Sequence, residues 1–74
     1  MSERVVTRML ALRLQRGLSQ REVAEAIGVT QPRISQWEMR RLDLPPLRRE
    51  QIARLLETDP ETLLDDVLGE AYLL

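Results

Sequence analysis

The chain predicts an all-α fold, a compact domain of five helices. Apolar residues recur at helical spacing along most of its length, and helix-start signals stand at Ser19, Thr30 and Asp59. Glycines fall where helices should stop, and no run alternates apolar and polar residues as a half-buried strand does. There is no internal repeat and no low-complexity tract. With 74 residues the chain reads as one small domain, 1–68, followed by an apolar tail, 69–74, that offers a dimer contact.

The first helix is expected over roughly Glu3 to Arg16, with Gly17 filling the C-terminal cap role. On a helical wheel Val5, Val6, Met9, Leu10, Leu12 and Leu14 form one broad apolar arc. Arg13 falls in its middle, and an arginine buried there requires a partner. The second helix opens on Ser19 and Glu22, which fit a capping box, with Leu18 and Val23 as the hydrophobic staple. It buries Val23, Ala24 and Ile27 and ends at Gly28, which takes a left-handed conformation without steric cost.

The third helix follows almost at once, capped by Thr30 and stapled by Val29 against Ile34. Pro32 sits in its first turn, where a missing N–H costs nothing. Ile34 and Trp37 point inward. Pro32, Ser35, Gln36 and Met39 face the other way, with Gln31 at the tip. A loop containing Leu44, Pro45 and Pro46 leads to a fourth helix through Glu57 that buries Ile52, Ala53, Leu55 and Leu56. Asp59 as N-cap and Pro60 at the first helical position signal a fifth helix, along which Leu63, Leu64, Val67 and Leu68 repeat at helical spacing. The tail ends in Ala71, Tyr72, Leu73 and Leu74, and such an apolar end is expected to dock on something.

Composition narrows the chemistry. Apolar residues make up 43% and charged residues 31%, the balance of a folded globular chain. With no Phe, one Trp and one Tyr, the core must be aliphatic and thin, so a second subunit would help it. The absence of cysteine and histidine removes disulfides, thiol nucleophiles, imidazole bases and the usual zinc ligands. Asp65 and Asp66 are adjacent on a helical reading and diverge around it, without a third ligand at matching spacing. No metal, cofactor or catalytic residue is expected, and the chain does not read as an enzyme. No apolar run reaches a membrane span and Met1 leads into charge, which predicts a soluble, cytoplasmic, nucleoid-associated protein.

The net charge of −1 conceals an asymmetry. Residues 1–41 hold eight Arg against four Glu, net +4, whereas residues 42–74 hold three Arg against eight acids, net −5. A polyanion would be met by the first half alone. Two helices joined by a short glycine turn, the second with a nearly uncharged polar outer face, describe a helix-turn-helix.

The residues of that unit carry a further signal. Leu18-Ser19-Gln20, Val23-Ala24, Ile27-Gly28-Val29, Ile34-Ser35 and Trp37-Glu38 resemble the phage Cro/C1-repressor type (XRE-like) helix-turn-helix family. Ile52-Ala53, Leu56 and Leu63-Leu64 are similar to its fourth and fifth helices, so the resemblance covers roughly residues 9 to 64. It implies a lambda-repressor-like domain with its third helix in the DNA major groove, used as a homodimer on a partly palindromic operator. Carried over by position, Gln31, Pro32 and Gln36 take the family's base-contacting places, with Arg33 and Ser35 beside them in the base-contacting set, and Gln20 takes a phosphate-contacting place; Arg21 next to it, and Arg40 and Arg41 just past the third helix, complete the phosphate-contacting set. A Gln amide can bond the adenine N6/N7 edge and a proline can touch a thymine methyl. The resemblance also pairs Arg13 with Glu38, and it departs at Arg40, where the family often has glycine.

For Gln31 and Gln36 the competing reading is a solvated polar face, and for Arg40 and Arg41 two solvated charges. Among function classes, a sequence-specific DNA-binding regulator, a repressor, uses every feature above. An antitoxin-type protein-interaction module working through residues 68 to 74, which also binds its own operator, is the alternative.

Overall fold

The computed structural model describes residues 4–69. Four α-helices form its body: α1 (Arg8–Gln15), α2 (Gln20–Ile27), α3 (Gln31–Glu38) and α4 (Pro46–Leu56). A short 3-10 turn, Pro60–Thr62, follows α4. Two three-residue strands, β1 (Val5–Thr7) and β2 (Asp66–Leu68), pair antiparallel with Val5 opposite Leu68 and Thr7 opposite Asp66.

The expected five-helix, all-α architecture is therefore corrected at both ends. Val5, Val6 and Thr7 belong to a strand, and Thr7 becomes the N-cap of α1, its hydroxyl accepting from the Leu10 N–H at 3.4 Å. Val5 is accordingly exposed, as is Leu14 at the far end of the helix, so the buried face of α1 is narrower than the wheel implies: Met9, Ala11, Leu12 and Arg13. At the other end Asp59 does cap the turn that Pro60 begins, its carboxylate accepting from the Glu61 N–H at 2.8 Å, but no fifth helix grows from it. The carbonyls that a continuing helix would use internally go elsewhere. Leu63 O accepts from the Met9 N–H at 2.8 Å and Asp65 O from the Arg8 N–H at 2.9 Å, satisfying the open donors at the start of α1. Leu63 and Leu64 still turn toward the core, Val67 is half-buried in β2, and Leu68 is exposed. Glu3 and residues 70–74, including the apolar end expected to dock, lie outside the described residues.

The ends of the helices follow one rule. In each, a residue in left-handed conformation is followed by an N–H that reaches back five residues: Leu18 to Arg13 O, Val29 to Ala24 O, Arg41 to Gln36 O and Thr58 to Ala53 O. Gly17 and Gly28 hold that conformation at α1 and α2, while Arg40 and Glu57, both at φ 56°, hold it at α3 and α4.

Between these elements lies one apolar cluster in which Met9, Leu12, Val23, Ala24, Ile27, Ile34, Trp37, Leu44, Ile52, Ala53, Leu56 and Leu63 are buried. Leu18, Val29, Leu55 and Leu64 pack at its margin. Trp37 is the largest of its side chains, and its indole N–H donates to Asp43 O at 3.1 Å, so the loop after α3 is drawn against the core. Arg48 of α4 donates to Ile27 O at 2.7 Å, tying α4 to the exposed end of α2. Among the described residues no helix is long and apolar enough to cross a membrane.

Candidate nucleic-acid interface

The interface begins with the way α2 starts. Ser19 Oγ accepts from the Glu22 N–H at 3.0 Å, and the Glu22 carboxylate accepts from the Ser19 N–H at 2.9 Å, completing the capping box. Hydrogen bonding of the Glu22 carboxylate by the Ser19 backbone N–H, and after it by the Ser19 side chain, holds that carboxyl below its ordinary value. At the other end of α2, Gly28 at φ 74° lets the chain reverse in three residues, so that α3 crosses α2 closely. Ala24, small and buried, lies on the inward side of α2 with Val23 and Ile27.

Thr30 is the N-cap residue of α3, but its side chain makes no capping hydrogen bond, a correction to the expected cap. Pro32 at the second helical position has no N–H to offer, and the next donor, Arg33 N–H, is taken by the Thr30 carbonyl at 3.1 Å. Burial then separates the two faces of α3. Ile34, Trp37 and Glu38 are buried, whereas Gln31, Pro32, Arg33 and Gln36 are exposed and Ser35 is half-exposed. The five side chains assigned to base contact thus share the outer surface of one helix.

Below that surface runs a chain of polar contacts. Arg13 Nε donates to Glu38 Oε2 at 2.5 Å, with Nη2 reaching Oε1 at 3.3 Å and Nη1 donating to Leu18 O at 2.8 Å. The Glu38 side chain is fully buried and that of Arg13 is nearly so. Glu38 Oε1 also accepts from Gln20 Nε2 at 2.9 Å, and Gln20 Oε1 accepts from Gln31 Nε2 at 3.5 Å. Gln20 is half-buried, so the residue assigned to a phosphate is braced from beneath by the buried pair and touches the tip of α3. Among the described residues no buried side-chain polar atom lacks a partner.

The arginines divide by what holds them. Arg21 lies on the exposed side of α2 with Glu25 at 3.8 Å, a loose surface pair. Arg33 and Arg41 are exposed, and their guanidinium groups make no hydrogen bond or ion pair within the described residues. Arg40 differs: its guanidinium donates to Leu64 O at 2.7 Å and to the Asp66 carboxylate. A second contact that sequence reading missed is Thr7, whose hydroxyl donates to Glu38 O at 3.0 Å. Its signal was the capping position ahead of α1, hidden by the apolar residues before it.

A small patch of neutral amides, a proline and a hydroxyl, flanked by arginines, is suited to hydrogen-bonding base edges and neutralising phosphates. Among the described residues no group of His, Cys, Asp and Glu could hold a metal ion. No curated protein and no solved structure matches the chain. A helix-turn-helix family model does match, over residues 9–63, from the buried Met9 of α1 to the buried Leu63. With two helices crossing at Gly28 and the second anchored by Ile34 and Trp37, the chain belongs to the Cro/C1-type helix-turn-helix family of DNA-binding regulators.

Proposed function

We propose that the protein is a sequence-specific transcriptional repressor that lays α3 in the major groove of an operator. The observation that carries this reading is the division of α3 into an anchored inner face and an exposed outer face bearing Gln31, Pro32, Arg33, Ser35 and Gln36. Gln31 and Gln36 bond base edges, Pro32 and Ser35 fill the groove beside them, and Arg33 reaches a base or a flanking phosphate. Gln20, Arg21 and Arg41 take the phosphates and set register. One helix-turn-helix spans few base pairs, so two copies related by a twofold axis read a partly palindromic site.

Selection of bound duplexes from a random pool, followed by mobility-shift titration, tests this. A recovered palindrome is expected. Gln36→Ala should lose about 1–3 kcal/mol of discrimination between operator and mismatched duplex. Arg41→Ala should weaken all duplexes alike and make the salt dependence shallower by about one counterion. Parent-like binding by both variants would remove the groove assignment.

A further inference from the structure

Both strands of the β-ribbon grip the last turn of α3. From β1, the Thr7 hydroxyl donates to Glu38 O at 3.0 Å. From the side of β2, Leu64 O and the Asp66 carboxylate accept from Arg40, two residues past the end of the helix. Thr7 and Asp66 are opposite each other in the ladder, so the two anchors form one fixed unit.

Arg40 has a left-handed backbone at φ 56°, a conformation that glycine adopts at far less cost. A glycine would close the same helix-terminal hydrogen bonds but would have no side chain to reach Leu64 and Asp66. What the arginine adds is a guanidinium that holds Leu64 O and the Asp66 carboxylate. It is also poorly placed to take a phosphate, because the incoming anion would compete with the Asp66 carboxylate.

We propose that Arg40 is a positioning residue: with Asp66 and Thr7 it fastens the end of α3 to the ribbon and sets the tilt at which Gln31 and Gln36 meet the duplex. This rests on the DNA reading above, and it removes Arg40 from the phosphate-contacting set.

The two roles predict opposite signs for one variant. If Arg40 gripped phosphate, Asp66→Asn would release a cation and tighten binding to every duplex, with a steeper salt dependence. As a clamp, Asp66→Asn and Arg40→Gln both lower the ratio of operator to random-duplex affinity, by about three- to five-fold, and leave the salt slope at the parent's value. A DNA-free readout accompanies this. In both variants hydrogen exchange of the Met39, Arg40 and Arg41 amides should accelerate several-fold, while the core amides of Val23 and Ile52 keep the parent's rates. Tighter binding of both duplexes by Asp66→Asn, an unchanged affinity ratio, or parent-like exchange at Met39–Arg41 would overturn the proposal. A parent that shows no operator preference would instead sink the DNA reading, and the exchange rates would still decide the clamp.

Discussion

Glu38 is a charged residue placed in an aliphatic core, and its surroundings account for it. Three donors, two from Arg13 and one from Gln20, converge on its carboxylate, while Thr7 holds its carbonyl. The pair is an orienting device, since a buried ion pair contributes little net stability but is costly to break. Glu38→Ala would leave the Arg13 guanidinium buried without its carboxylate, and urea denaturation should show a loss of about 3 kcal/mol. A loss under about 1 kcal/mol would mean that water replaces the carboxylate and that the pair does not hold α3. Arg13 announces itself in the sequence because a charge in an apolar arc demands a partner. Glu38 was identified as that partner only through family resemblance. Asp66 was illegible, because it acts on a residue distant in the chain and leaves no local pattern, and the capping signal of Thr7 is masked by the apolar residues before it.

At the scale of the elements, the helix-turn-helix was legible because its signals are local: a capping box, a staple, and a glycine that must go left-handed. The capping box gives a pH-dependent prediction. Glu22 has a lowered pKa in the folded chain, because its ionised form accepts from the Ser19 backbone. Its contribution is thus complete above the ordinary glutamate value and is lost as the pH falls through the lowered one. Glu22→Gln should lower the thermal midpoint at neutral pH, and the difference from the parent should shrink on acidification across that window. A difference that stays constant with pH would show that the charge plays no part. The ends of the chain were misread for the opposite reason. Leu63, Leu64, Val67 and Leu68 fit a helical period, yet the donors at the start of α1 claim the carbonyls of Leu63 and Asp65. The pairing of β1 with β2 joins residues about sixty positions apart, and three-residue strands are too short to show alternation.

For the whole molecule, the charge asymmetry and the anchoring of α3 work together. The basic first half carries the helix-turn-helix, and the acidic second half supplies α4, the 3-10 turn and β2. Binding to DNA should therefore weaken steeply with salt although the net charge is −1. Sedimentation equilibrium with an operator duplex should find two protomers per site. A single protomer per duplex at saturation would contradict the twofold arrangement.

The central claim is that the outer face of α3 reads base edges while its inner face is held still. Titrating the isotope-labelled protein with its selected duplex and following amide and side-chain amide resonances tests this directly. The largest shifts should fall on Gln20, Arg21 and Gln31–Arg41, with the Gln31 and Gln36 side-chain amides among them, while Ile34 and Trp37 keep their core contacts. Shifts centred on α4 or the β-ribbon, with the Gln31 and Gln36 side chains unmoved, would contradict it.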